Sequence, residues 1–139
     1  HLVLTRTTFG RYVYAIGGNE EATRLSGVHI GLHKTTIYAV SGLMSALAAI
    51  VLTARLNSAQ PIAGMMYELD AIAATVIGGT SLMGGQGTLV GTLIGALIMG
   101  VLRNGLNLLG VSSFLQQIVI GAVIIGAVLV DTMLKRQKA

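Results

Sequence analysis

Hydrophobic positions along this chain do not alternate with polar ones. They run on in blocks, and the charges gather at the block ends. From Thr35 to Ala54 twenty residues pass without a charge, and Arg55 follows. Twenty helical residues rise about 30 Å, the thickness of a bilayer's hydrocarbon core, so this block predicts a membrane-spanning helix. Phe114 to Val130 is a second uncharged block, closed by Asp131 and then by Lys135-Arg136-Gln137-Lys138. Two less regular blocks lie between them. Ala71 to Met83 is uncharged but would rise only roughly 20 Å as a straight helix. It also contains Gly78-Gly79-Thr80-Ser81, and each glycine weakens a helix by about 1 kcal/mol. Thr88 to Leu102 is longer and stops at Arg103. Irregular backbone at membrane depth survives only where protein or a wet cavity covers it. The shorter block therefore reads either as a thin span packed on partner helices or as a re-entrant segment beside a translocation path.

The basic residues set an orientation. Arg6, Arg11, Arg24 and Lys34 precede the first long block, and Lys135, Arg136 and Lys138 follow the last. Only Arg55 and Arg103 lie between. The positive-inside rule places both flanks in the cytoplasm, so an even number of crossings joins them. Four spans are expected: 35–54, 67–83, 87–106 and 113–132. Residues 1–34 then hold the end of a preceding span and a cytoplasmic loop, 35–134 form the transmembrane bundle, and 135–139 form a cytoplasmic basic tail. Turn signals agree. Gln60-Pro61-Ile62-Ala63-Gly64 and Leu109-Gly110-Val111-Ser112-Ser113 read as outer connections, Gly84-Gly85-Gln86-Gly87 as an inner turn. Ser112 or Ser113 suits the N-cap of the last helix.

Composition moves the picture from soluble to lipid-embedded. Hydrophobic residues make up 53% of the 139 and charged residues 10%, against about 25% charged in soluble domains. Nineteen glycines and one proline, Pro61, fit close-packed membrane helices. With no cysteine, disulfides and thiolate metal sites are excluded. The formal charge is +4, yet the basic residues do not cluster with aromatics, so nucleic acid is not an expected partner. The chain opens on His1-Leu2-Val3-Leu4 rather than Met, without a signal peptide. It reads as the C-terminal half of a larger membrane protein. The fold class is an all-α integral membrane protein, a polytopic helix bundle with about four membrane segments and a short cytoplasmic helix.

Small residues mark where helices pack. Gly87, Gly91 and Gly95 recur every four residues with Gly100 near the same face, which predicts a groove for another backbone. Ser41, Ser45 and Ala49, and Ala122 and Gly126, repeat the pattern. Gly78 to Gly87 is no phosphate loop, since it lacks the following Lys-Ser/Thr. Of the few polar side chains in the bundle, Asp70 and Arg103 fall at one level under four crossings and are expected to pair. Asn104 and Asn107 share a face with Gly100 and are candidates, with Gly79, Thr80 and Ser81, for the translocation path. No His, Glu or Asp lies mid-span, so a proton relay has no ligand there.

The loop before the first span carries its own signal. Asn19 suits an N-cap, Glu20 and Glu21 fill a first turn where the helix dipole favours negative charge, Arg24 lies in the last turn, and Gly27 suits the stop. Gly17-Gly18 reads as a flexible lead-in. Under two turns long, such a helix is unstable alone and must pack on something else. Ala22, Leu25 and Ser26 would form its small apolar face. His29 and His33 stand at a metal-compatible spacing, but Gly31 disfavours a helix and a solvated loop is expected; no metal or cofactor is assigned.

Glu21-Ala22-Thr23, three residues, then Gly27 resembles the EAA-type cytoplasmic loop of permease subunits in bacterial ABC importers, with Thr where the pattern has Ala. Gly17-Gly18-Asn19 to Ser26-Gly27, Ser58-Ala59-Gln60-Pro61, Tyr67-Glu68-Leu69-Asp70-Ala71-Ile72-Ala73-Ala74, Gly78-Gly79-Thr80-Ser81-Leu82 and Asn104-Gly105-Leu106-Asn107-Leu108-Leu109-Gly110 together resemble the C-terminal half of monosaccharide permeases, the ribose-carrying group most closely. The resemblance covers nearly the whole chain. It implies an inner-membrane, multi-pass subunit that works as a dimer and catalyses nothing itself. An ATPase subunit would dock on Asn19, Glu20, Glu21, Ala22, Thr23, Arg24, Leu25, Ser26 and Gly27, and a periplasmic sugar-binding protein on the outside. Two other classes are weaker. A self-contained four-span secondary transporter needs a titratable residue mid-span. An intramembrane protease needs a base beside Ser41 or Ser45, and His29 and His33 lie away from both.

Overall fold

The computed structural model describes residues 1–62 and 64–136. Every regular element among them is helical: α1 Leu2–Arg6, α2 Thr8–Gly18, α3 Glu20–Leu25, α4 Ile30–Leu56, α5 Tyr67–Ile77, α6 Leu89–Leu108 and α7 Ser113–Arg136. They form two compact units, residues 2–65 and, with His1, residues 66–139.

Among the described residues three helices are long and apolar enough to cross a membrane: α4, α6, and α7 as far as Met133. At 27 residues α4 rises roughly 40 Å, and the expected span 35–54 lies inside it. Its apolar residues face all directions and none is buried, the pattern of a helix whose solvent is hydrocarbon. Asn57, in the left-handed region at φ 49°, ends it. The 20 residues of α6 start from Thr88, whose hydroxyl accepts from the Gly91 N–H at 3.1 Å. In α7 the Ser112 carbonyl accepts the first helical bond, from the Gln116 N–H. Lys135 and Arg136 continue this helix, while residues 137–139 of the expected tail lie outside the described residues.

The segment 67–83 differs from a straight span. Its helix, α5, has 11 residues, roughly 16 Å of rise, and 78–88 are irregular. The chain turns at Gly79, where φ is +81°, a conformation open to glycine at no steric cost. The Gly79 N–H then reaches the Val76 carbonyl and the Thr80 N–H the Thr75 carbonyl, both at 2.9 Å. This closes the helix end with its carbonyls satisfied.

Unlike α4, this half-length helix is covered by protein. Ala73, Ala74 and Val76 are buried. Ala73 and Ala74 form a core with Met99 of α6 and Ile120 of α7, flanked by Ile77, Leu102 and Ile124. The contact between α5 and α6 is backbone against backbone. A Cβ on Gly91 would meet the Gly78 carbonyl oxygen, and one on Gly95 the Ala74 carbonyl oxygen. Gly91 and Gly95 thus make the groove expected of them. Gly87 precedes the helix and packs on Thr80 instead, and Gly100 faces open space.

Gly95→Val should therefore cost about 3 kcal/mol or more, because the obstruction is backbone and cannot rotate away. Gly100→Ala should be neutral or stabilise by up to about 1 kcal/mol. Thermal unfolding of the detergent-purified protein distinguishes the two.

Candidate functional site

In the N-terminal unit the site is built around α3. The Asn19 side-chain carbonyl accepts from the Ala22 N–H at 2.9 Å, capping the helix as its sequence requires. Asn19 also ends α2, its own N–H bonding the Ala15 carbonyl. One residue therefore serves both helices. The expected flexible lead-in at Gly17 and Gly18 is instead the last turn of α2, so no slack precedes α3. At the other end Gly27 takes φ +84° and its N–H reaches the Arg24 carbonyl at 3.0 Å.

Two contacts tie α3 down. Thr23 is buried and its hydroxyl donates to the Asn19 carbonyl. Lys34, in the second turn of α4, donates to both carboxylate oxygens of Glu20 at 2.7 Å. Both partners are about half exposed, so the pair contributes little energy, on the order of 0.2–1 kcal/mol. Its effect is to fix the direction of α3 against α4. Glu21, Ala22, Arg24 and Leu25 stay exposed, with Leu25 81% accessible and Glu21 paired with Arg24 at 3.2 Å. The outward face is thus two charges around a small apolar patch. Beside it a groove of about 330 Å³ is lined by Tyr12, Ser26, Gly27, Leu32 and His33, among others.

His33 departs from expectation. α4 starts at Ile30 in spite of Gly31, which puts His33 in its first turn. Its ring packs 5.7 Å from Phe9 and 5.1 Å from Tyr12, with Nδ1 buried. The packing of α2 on α4 outweighs the weak propensity of one glycine. α2 itself was missed, although Phe9, Val13 and Ile16 follow helical spacing and face inward.

In the C-terminal unit the expected path residues separate. Gly79, Thr80 and Ser81 lie at the turn between α5 and α6, where Ser81 is buried and its N–H bonds the Gln86 carbonyl. Asn104 and Asn107 sit near the far end of α6, roughly 20 Å away by helical rise. Asn107 accepts from the Gln116 side chain at 2.9 Å. The same end carries the expected ion pair. Arg103 meets Asp70 through both guanidinium nitrogens, Nη1–Oδ2 at 2.9 Å and Nη2–Oδ1 at 3.1 Å. The Tyr67 ring lies 5.8 Å from Arg103 Cζ.

Asn19→Ala should loosen α3 by about 1 kcal/mol, seen as roughly fivefold faster hydrogen exchange at the Ala22 and Thr23 amides. Asp70→Ala should destabilise by about 2 kcal/mol, and Asp70→Ala with Arg103→Met by less, because the single change strands a partly buried cation. Unfolding of both variants against the parent tests this.

Comparison with known proteins places the chain among transporters. The family described as branched-chain amino acid transport system / permease component matches residues 1–128. The chain is 63% identical to the ribose import permease protein RbsC of Escherichia coli K12 over 129 residues, 93% of this chain and 40% of that protein. It is 62% identical to the Bacillus subtilis 168 ribose import permease protein over 130 residues, 94% of the chain and 40% of the relative. With the xylose transport system permease protein XylH of E. coli K12 it shares 51% over 133 residues, 96% of the chain and 34% of that protein. The chain thus spans about 40% of the length of the ribose relatives it matches. No solved structure matches it.

Proposed function

The chain belongs to the permease-component family of branched-chain amino acid transport systems, and from that premise we propose that it is the C-terminal half of the membrane-spanning subunit of an ABC importer of a monosaccharide, ribose or a close relative. The observation that carries the substrate class is the likeness, over nearly all of the chain, to ribose and xylose permeases. A branched-chain amino acid, suggested by the family's description, is the weaker reading, because the relatives matched over nearly all of the chain are ribose and xylose permeases. The secondary-transporter alternative is not favoured.

On this reading the subunit lies in the bacterial inner membrane and pairs with a second copy. It performs no bond chemistry. An ATPase subunit seats on the exposed face of α3, and a periplasmic binding protein delivers the sugar on the opposite side. The residues of α3 divide the work. Asn19 and Gly27 set its ends, Thr23 and Glu20 hold it to α2 and α4, and Glu21, Ala22, Arg24, Leu25 and Ser26 meet the partner. A push on α3 passes into α2 through the one-residue junction at Asn19 and into the long helix α4 through the Glu20–Lys34 pair, which bridges the four non-helical residues 26–29. Gly79, Thr80, Ser81, Asn104 and Asn107 remain the polar and irregular positions assigned to the path, now as two groups at opposite ends of α6.

Glu21→Lys or Gly27→Val in the intact transporter should leave membrane insertion normal and uncouple ATP hydrolysis from ribose uptake, lowering uptake by roughly tenfold or more, a loss of about 1.4 kcal/mol in coupling. Uptake by reconstituted vesicles, read beside ATPase activity, is the measurement. Full transport in both variants would overturn the assignment of α3.

A further inference from the structure

One groove in the C-terminal unit combines a cavity with charge. It measures about 280 Å³, and its wall runs from Asp70, Ala71 and Ala74 of α5 to Ala96, Gly100 and Arg103 of α6. We infer that this groove is a stretch of the sugar's route through the membrane, with the Asp70–Arg103 pair as its hydroxyl-binding element. The inference rests on the monosaccharide reading above and deepens it.

The argument starts from the open side of the pair. The side chains of Arg103 and Asp70 keep 36% and 24% of their surface accessible. Arg103 lies five residues inside the end of a membrane-length helix. That is about 7.5 Å of rise, near the outer end of the segment, where ionised side chains face protein or the water of the headgroup region rather than hydrocarbon. Helical geometry agrees. Ala96, Gly100, Arg103 and Asn107 fall on one side of α6, while Ile94, Ile98 and Val101 fall on the other and are exposed. The apolar side suits lipid. The side with small and polar residues suits a wet passage.

The chemistry fits a neutral polyol. The ion pair carries no net charge, so it sets up no long-range attraction for an ion and acts on an uncharged solute only at hydrogen-bonding range. Guanidinium offers five N–H donors and carboxylate about four lone-pair sites, and the bidentate pairing uses only two of each. The remainder matches the mixed donor and acceptor character of adjacent sugar hydroxyls. The small side chains of Ala71, Ala74, Ala96 and Gly100 leave the space in front of the pair open. Such a site is weak, which a transit point must be.

The test places single cysteines at Ala96 and Gly100, and at Ile98 and Val101 as controls, in the intact transporter lacking other reactive thiols. A charged, membrane-impermeant methanethiosulfonate is the probe, and the mass shift of the protein reads its reaction. Ala96→Cys and Gly100→Cys should react at least about tenfold faster than the controls, since the thiolate forms only in water. The modification should also block ribose uptake. Equal rates at all four positions in a protein that still imports ribose would overturn the inference and leave the proposed function standing. Fast modification at Ala96 and Gly100 without loss of uptake would also overturn it. Failure of the unmodified parent to import any monosaccharide would instead sink the function on which it rests.

Discussion

Hydrocarbon offers a peptide group nothing to bond, and the arrangement of this chain follows from that. A helix that crosses the bilayer satisfies its backbone by itself, and α4, α6 and α7 have the length to do so. α5 does not. It ends after 11 residues, and the irregular chain that follows needs cover from protein. That cover requires close approach, and close approach requires the absence of side chains at the contact. Gly91 and Gly95 of α6 therefore lie where the Gly78 and Ala74 carbonyls press against them. The short helix and the glycines are one feature with one cause.

The N-terminal unit solves a different problem. Six residues cannot hold a helix in water, and α3 is held by neighbours rather than by propensity. Asn19 joins it to α2 with no residue between, Thr23 is buried, and Lys34 reaches Glu20 from α4. None of these contacts is strong. Together they fix the orientation of α3, and they leave Leu25 and Glu21 free of the protein's own core.

Much of this was legible in the sequence because it depends on local rules. Uncharged length pointed to the three long apolar helices α4, α6 and α7, among four expected spans; Asn19, Glu20, Glu21 and Gly27 gave the loop helix, and the level of Asp70 and Arg103 gave their pairing. The misreadings share a cause as well. Gly17, Gly18 and Gly31 were read by intrinsic propensity as breaks, whereas tertiary contact keeps all three helical. Glycine's cost of about 1 kcal/mol is easily exceeded by packing. The placement of His33 against Phe9 and Tyr12 joins residues more than twenty positions apart, and no periodicity within a single segment encodes it.

The two ends of the C-terminal unit are held by different forces. At the turn from α5 to α6 the contacts are between backbones, through Gly78, Gly91 and Gly95, and a small displacement there meets steep repulsion. At the opposite end they are between side chains: Asp70 with Arg103, Gln116 with Asn107, and Gln117 with the Met66 sulfur. Side-chain bonds exchange partners, or take up a solute's hydroxyls, with little movement of the main chain. A bundle held in this way has one end that keeps its register and one whose side-chain bonds can re-pair. The glycine end supplies the first property. The ion pair and amides supply the second.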